Sequence, residues 1–274
     1  MIDLEEYHPD DYKLRDIKAA KKEVDEIVDI ITMPTEKISL ETRKEISKKT
    51  VRNFRDHINK GFLEYRKSVT EATGFAVTEW TGEGSILVDA LDRQFLDLLG
   101  GFGLYSYGIR HPKIVAAVKS QLDRSPQYSQ EMLDPLRAQL AKVLALLTPG
   151  KIQYGFFANS GTEAVDGAMK LAKLYTGKKG FISTLKAFHG KSLGALSLMG
   201  KHVFRKPLLP LLDGIRQAPF GDLKAMEQEL ISARAVGDDI AAVVLEPIQG
   251  EAGAIVPPDD YLPGVRELCD RYGV

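Results

Sequence analysis

The spacing of apolar residues predicts two helices in the first 60 residues. In the first helix, apolar positions recur at helical spacing between charged residues: Ile17, Val24, Ile27, Val28 and Ile31. Pro34 ends this helix because proline cannot continue one. Ser39 is the predicted N-cap of the second helix, which ends at Gly61. We interpret the pair as a packing arm or a dimer contact.

The period changes between residues 75 and 99. The segments "FAVTEW" and "ILVDALDRQFLDLL" favour short strands around the turn "TGEGS". A loop rich in glycine and aromatic residues follows, "GGFGLYSYGIRHP". Two amphipathic helices are predicted next, "PKIVAAVKSQLDR" and "DPLRAQLAKVLALL".

The remaining chain alternates predicted strands and helices. The predicted strands are "QYGFF", "GFIST" and "IAAVVLEPI", the last an apolar run typical of a strand buried on both faces. The predicted helices are "TEAVDGAMKLAKLY", "KSLGALSLMG", "LKAMEQELISARA" and "DYLPGVRELCDRYG". The first of these carries Ala164, Ala168, Leu171 and Tyr175 on one face, which we expect to be its packing face. Such alternation predicts an α/β fold, a mostly parallel sheet flanked by helices.

Composition narrows the class of protein. The chain has 274 residues, of which 44% are hydrophobic and 27% charged, as in globular proteins with a core. A formal net charge of -1 gives no electrostatic reason to expect nucleic acid or an anionic membrane as partner. One cysteine cannot form an internal disulfide, so we expect a cytoplasmic protein. No apolar stretch approaches the roughly 20 residues of a membrane helix, and the acidic N-terminus is unlike a signal peptide.

Three polar turns follow the predicted strands: "NSGTE", "KAFHGKS" and "EPIQGEAG". Ligands of α/β sheets bind beyond the carboxyl ends of the strands. We therefore expect the three turns to form one site with a phosphate grip, an exposed aromatic residue beside a histidine, and two carboxylates. No metal site is predicted.

The turn "NSGTE" supports two compatible interpretations. Ser160 and Glu163 have the spacing of a capping box at a helix N-terminus. Alternatively, the amides of Gly161 and Thr162, with the hydroxyls of Ser160 and Thr162, bind a phosphate there.

The motifs in combination resemble those of a known enzyme family. "NSGTEAVDGAMKLAK", "AFHGKSLGAL" and "VVLEPIQGEAG", in that order, resemble the class III aminotransferases, pyridoxal-phosphate enzymes of fold type I. "GFLEYRKSV", "LDLLGGFG" and "QEMLDPLRAQLAKVLALLTPGK" resemble the putrescine branch, which moves an amino group from a diamine to 2-oxoglutarate. The likeness runs from about Gly61 to the end of the chain.

The resemblance implies a domain organisation. Residues 1–60 would be an N-terminal helical extension, and 61–115 the first part of the small domain with a substrate loop. Residues 116–274 would be the pyridoxal-phosphate-binding large domain, incomplete at its C-terminus. Family active sites form across a homodimer interface, so a homodimer is implied for the complete enzyme.

The resemblance also assigns cofactor-binding residues. Gly161 and Thr162 match the phosphate-binding pair, and Ser160 assists them. Phe188 matches the aromatic residue that stacks on the pyridine ring, and Glu246 matches a carboxylate beside the cofactor. His189 is interpreted either as a neighbour of the cofactor or as a structural hydrogen-bonding residue.

Two further residues are assigned to the substrate. Glu251 resembles a switch glutamate that neutralises an arginine from the C-terminal part of the fold for amines and releases it for 2-oxoglutarate. The bland alternative is a solvated loop carboxylate. Phe102 matches an aromatic residue that lines the substrate pocket. Ile109 stands where relatives commonly have histidine, which we interpret as loop variation.

The family's Schiff-base lysine has no counterpart in this chain. The chain ends at Val274, before the segments that supply this lysine and the aspartate and glutamine near the ring, and neither Lys186 nor Lys191 matches its motif. No catalytic residue is therefore assigned, and we expect a truncated product or an incomplete gene sequence, inactive alone. The alternative is a non-catalytic half-fold that binds phosphate compounds or a partner chain. Ornithine, acetylornithine and 4-aminobutyrate are the alternative substrates.

Overall fold

A computed structural model describes residues 17–34, 37–58, 61, 69–70, 75–125 and 131–274. The chain forms two compact units, residues 1–130 and 131–274. The domain boundaries expected at residues 60 and 115 stay predictions. Among the described residues, no helix combines the length and apolar character needed to cross a bilayer.

The two predicted N-terminal helices are confirmed. Helix α1 spans Ile17–Thr32 and α2 spans Leu40–Asn53, which continues as a π-helical turn at Phe54–Ile58. Ser39 is the N-cap of α2 because its hydroxyl accepts a hydrogen bond from the amide of Thr42 at 3.1 Å. The motif "GFLEYRKSV" and the predicted helix end at Gly61 lie in or beside ranges outside the described residues.

The first unit also contains the predicted short strands. They are β1 (Val69–Thr70), β2 (Phe75–Ala76), β3 (Glu79–Glu83), β4 (Ile86–Asp89) and β5 (Gln94–Leu96), all paired antiparallel. A 3-10 turn at Gly100–Gly103 and helix α3 (Pro112–Arg124) follow. Phe102, in this turn, is exposed and has a positive φ of 57°.

The second unit has the predicted parallel sheet. Strands β6 (Gly180–Thr184), β7 (Ile215–Ala218) and β8 (Ile240–Val243) lie in the order β7-β6-β8. The helices are α4 (Pro135–Leu147), α5 (Gly161–Thr176), α6 (Leu193–Leu198), α7 (His202–Arg205), α8 (Leu223–Ala235) and α9 (Tyr261–Tyr272). The fold class predicted from the sequence, α/β with helices around a mostly parallel sheet, is confirmed.

Both faces of this sheet are covered. Along β6 the side chains alternate, so Phe181 and Ile182 belong to different clusters. On one side Ile182 packs with residues of α8 and α9: Met226, Leu230, Tyr261, Val265, Leu268 and Cys269. On the other side Phe181 packs with Met169 of α5, Leu198 of α6 and Ala241 of β8. The strand ends and the loops beyond them are therefore carried by a packed core.

One predicted strand is wrong. Residues 153–157, "QYGFF", form no strand, and the side chains of Tyr154 and Phe156 are exposed. A strand persists only when its backbone groups pair with a neighbour. The described sheet pairs β6 with β7 and β8 and gives this segment no such neighbour.

The predicted packing face of α5 is also wrong. Leu171 and Tyr175 are exposed, as are Ala164 and Ala168. Instead, Met169 is buried and Val165 and Ala172 pack beside it against the sheet. The helix carries apolar residues on two sides, and the spacing alone favours neither.

Candidate active site

The loop after β6 is closed by a backbone clasp at Gly200. The amide of Lys186 donates to the carbonyl oxygen of Gly200 at 3.0 Å, and the amide of Gly200 donates to Ala187 at 2.9 Å. A Cβ on Gly200 would lie 2.3 Å from both the Lys186 nitrogen and the Thr184 oxygen. Only glycine permits this approach, which fixes where residues 185–192 leave the strand.

Thr162 joins the first polar turn to the second. Its Oγ1 accepts a hydrogen bond from the amide of Ser192 at 3.0 Å and lies 2.7 Å from the Ser192 hydroxyl. A Cβ on Gly190 would approach this Oγ1 to 2.3 Å, and the φ of Gly190 is +130°. The start of α5 is thus held against residues 190–192.

The N-terminus of α5 is capped and open. Ser160 is the N-cap, and its hydroxyl accepts from the amide of Glu163 at 3.3 Å, which confirms the capping interpretation. A Cβ placed on Gly161 would meet nothing within 4 Å among the described residues. Because the first amides of a helix lack partners and its dipole is positive there, this end can accept an anion.

Glu246 joins the second turn to the third. Its Oε2 accepts a hydrogen bond from the amide of Phe188 at 3.1 Å, and its Oε1 accepts one from the amide of Gly250 at 3.2 Å. Both carboxylate oxygens are therefore occupied by backbone donors. This arrangement fixes the backbone at Phe188 relative to residues 246–250.

The ring of Phe188 is held by an aromatic neighbour. Phe188 and Phe204 make an edge-to-face contact, with ring centroids 6.1 Å apart and planes at 81°. The Lys191 ammonium group lies 5.0 Å from the Phe204 ring centroid and 6.0 Å from that of Phe188. The ring is half-buried, and contacts of both kinds favour one orientation.

His189 has a structural hydrogen bond. Its Nε2 lies 3.1 Å from the hydroxyl of Ser183, a buried residue of β6. Burial lowers the pKa of His189, and the negative charge of Glu246 opposes this shift. The structure thus shows the hydrogen bond that the structural interpretation of this histidine requires.

Residues 249–255 form a small hairpin with Glu251 near its tip. Gln249 and Ile255 exchange backbone hydrogen bonds of 3.0 and 2.9 Å. The buried amide group of Gln249 donates to Thr184 Oγ1 at 3.1 Å and to the carbonyl of Leu185 at 2.9 Å. The Glu251 carboxylate oxygen Oε2 lies 3.5 Å from the Lys201 Nζ.

The structure therefore brings the three predicted turns together. Ser160, Gly161, Thr162, Phe188, His189, Glu246 and Glu251 all belong to the second unit, linked by the contacts above. Phe102 belongs to the first unit. The sequence did not predict Ser192, Lys201 or Gln249. Gln249 lies inside "EPIQGEAG", and a glutamine between two assigned glutamates was the one available signal.

A family model for class III aminotransferases matches residues 66–274. The chain belongs to this family. Solved structures of transaminases have the same fold. An amine transaminase from an uncultivated Pseudomonas species, in its PLP-bound form, is 27% identical with a TM-score of 0.69, and the match covers 77% of this chain and 53% of that one.

Two further structures show the fold. A transaminase from the marine bacterium Virgibacillus has a TM-score of 0.73 at 24% identity, covering 84% of this chain and 53% of its own. Taurine:2-oxoglutarate aminotransferase from Bifidobacterium kashiwanohense has a TM-score of 0.72 at 22% identity, covering 83% and 54%. This class III aminotransferase chain thus spans about half the length of the structures it matches.

The cofactor of class III aminotransferases is pyridoxal phosphate, and the residues present fit it. The space beside Gly161 is open at a helix N-terminus, where a phosphate is stabilised. The half-buried ring of Phe188 is held beside the same turns and offers a surface for an aromatic ring.

Proposed function

We propose that this class III aminotransferase moves an amino group from a putrescine-like diamine to 2-oxoglutarate. The observation that carries the proposal is the linkage of the three turns by Thr162 and Glu246, because it gathers a phosphate grip, an aromatic ring and a second carboxylate. The diamine is inferred from the resemblance of "LDLLGGFG" and "QEMLDPLRAQLAKVLALLTPGK" to the putrescine branch. Ornithine, acetylornithine and 4-aminobutyrate are the alternative donors.

Each residue has a distinct role in this proposal. The first amides of α5, at Gly161 and Thr162, bind the phosphate, and Ser160 both caps the helix and adds a hydroxyl. Phe188 orients the ring and excludes water from one face. Glu246 holds the backbone of Phe188, and His189 supports the same loop through Ser183. Bound pyridoxal phosphate supplies an electron-accepting ring, so that a proton can leave the carbon that bears the amine.

Glu251 and Phe102 are proposed to select substrates. Glu251 is nearly half exposed and has a charge that can pair with a guanidinium group. We propose that it masks an arginine from the C-terminal part of the fold when the amine is bound and releases it for the carboxylate of 2-oxoglutarate. Phe102 is proposed to line the pocket with its exposed ring.

The cofactor-linked lysine is proposed to lie outside these 274 residues. The 274-residue chain is then inactive alone, and the complete enzyme is proposed to act as a homodimer in the cytoplasm. Borohydride reduction of the chain with pyridoxal phosphate, followed by peptide mass mapping, tests this point. We expect no lysine to be labelled stoichiometrically. A single fully labelled lysine would contradict the proposal.

The activity is tested by supplying the C-terminal half of a related class III enzyme in co-expression. Glutamate formation from 2-oxoglutarate is measured with putrescine, cadaverine, ornithine and 4-aminobutyrate as donors. We expect amine-dependent glutamate only when both halves are present, and putrescine to give the highest kcat/KM. A complex that forms and binds pyridoxal phosphate without any turnover would favour the non-catalytic half-fold instead.

A further inference from the structure

Lys201 occupies a position that the backbone determines closely. It follows Gly200, whose amide and carbonyl both bond to residues 186 and 187. A side chain at residue 200 would collide with the backbone at Thr184, Lys186 and Ala187. The Lys201 backbone is therefore carried by the end of β6 rather than by a free loop.

The side chain of Lys201 reaches the hairpin that bears Glu251. Its ammonium group donates to the backbone carbonyl of Glu251 and lies 3.5 Å from the carboxylate oxygen Oε2. The Lys201 side chain is 24% exposed, whereas that of Glu251 is 45% exposed. One cation thus contacts both the backbone and the side chain of the same glutamate.

The hairpin tip has few other supports. The amides of Gly253 and Ala254 both donate to the carbonyl of Gly250, at 3.0 and 3.2 Å, and Ala254 has a positive φ of 53°. Gln249 holds the base of the hairpin to the end of β6. Lys201 supplies a contact at the tip itself, through the carbonyl of Glu251.

We propose that Lys201 is a positioning residue that fixes the Glu251 hairpin and gives the Glu251 carboxylate a second cationic partner. This inference rests on the proposed function, in which Glu251 alternates between masking and releasing an arginine. A released carboxylate leaves that arginine free only while another group stabilises it. Lys201 stabilises the released position, and so favours the form that binds the carboxylate of 2-oxoglutarate.

The positioning role is tested by amide hydrogen exchange in the full 274-residue chain. Lys201→Met keeps the apolar stem and removes the charge, whereas Lys201→Arg keeps the charge. In Lys201→Met we expect exchange at Gly253 and Ala254 to be faster by on the order of tenfold, with wild-type rates in Lys201→Arg. Lys206→Met, which removes an exposed charge on a neighbouring segment, is the matched control and should change nothing. Rates in Lys201→Met within about twofold of wild type would overturn the inference.

The substrate role is tested with the same variants in the preparation that combines both halves of the enzyme. Loss of Lys201 should raise the KM for 2-oxoglutarate by about fivefold and leave the KM for the diamine unchanged, because only the carboxylate substrate needs the arginine released. Lys201→Arg should restore the KM. Equal changes in both KM values would overturn the substrate role. A wild-type preparation without turnover would overturn the proposed function and this substrate role together, whereas the exchange rates decide the positioning role independently.

Discussion

At the scale of single residues, Glu246 has the most constrained environment in the candidate site. Its two oxygens each accept a backbone amide hydrogen, at 3.1 and 3.2 Å. Glu246→Gln would turn an amide NH2 group toward one of these donors. We expect the free energy of unfolding to fall by about 1–3 kcal/mol. Urea denaturation measures this, with Glu267→Gln on the exposed side of α9 as the control. Equal midpoints for both variants would show that the two contacts contribute nothing.

Phe188 gives a prediction about cofactor retention. Phe188→Ala removes a ring that the proposed function places against pyridoxal phosphate. We expect cofactor affinity in the two-half preparation to fall by about 1–3 kcal/mol, the scale of one stacking contact and its buried area. Equilibrium dialysis measures it, with Phe220→Ala, a partly buried phenylalanine of the core, as the control. Unchanged affinity in Phe188→Ala would remove this residue from the site.

His189 gives a prediction about pH. Burial holds the pKa of His189 below its ordinary value of 6.5, so the folded chain resists protonation there. As the pH falls below 6.5, the unfolded chain takes up a proton that the folded chain does not, and stability falls. The slope is bounded by about 1.4 kcal/mol per pH unit and is smaller here because the ring is only partly buried. His189→Gln should flatten the dependence of the urea midpoint on pH between about 7.5 and 5.5, whereas His202→Gln, at an exposed histidine, should not.

The residues that the sequence predicted correctly depend on local contacts. Ser160 caps α5 through an amide three positions away, so the spacing with Glu163 was sufficient evidence. The partners of Glu246 could not be predicted in this way, since Phe188 lies 58 residues away along the chain. Lys201 and Glu251 are 50 residues apart, and neither neighbouring sequence indicates the other.

At the scale of elements, the junction of α5 with residues 190–192 depends on a glycine. Gly190→Ala would place a methyl group 2.3 Å from Thr162 Oγ1, at a φ of +130° that alanine rarely adopts. We expect destabilisation of about 2–4 kcal/mol. Gly161→Ala is the matched control, because the space there is open, and it should stay within about 0.5 kcal/mol of wild type. Thermal unfolding of the two variants makes the comparison, and equal midpoints would contradict this packing of Gly190 against Thr162.

The elements show where periodicity suffices. Helices α3, α4, α8 and α9 follow from apolar spacing and from local caps such as Asp134. Strand β7 was not predicted, because "IRQA" is short and half polar. The packing face of α5 and the strand at residues 153–157 were predicted wrongly for the same reason. Both depend on which neighbour covers an apolar surface, and the sequence of the segment does not contain that information.

At the scale of the whole molecule, much apolar surface is exposed. In the second unit the exposed residues include Leu136, Leu140, Leu147, Tyr154, Phe156, Leu174 and Tyr175. Surfaces of this kind are unusual in monomers and favour association. We expect the chain to self-associate, as measured by light scattering. Leu147→Lys should raise the soluble yield, whereas Gln139→Lys, which adds the same charge to the same helix, should not. A monodisperse monomer at high concentration would contradict this prediction.

The buried position of Cys269 has a practical consequence. Only the thiolate reacts with disulfide reagents, and burial both shields this thiol and raises its pKa. The chain has one cysteine, so every labelling event reports the opening of the core between α9 and the sheet. The ratio of labelling rates in denaturant and in buffer then measures the equilibrium constant for that opening. The protein thus has a native probe of its own stability, and no engineered label is needed.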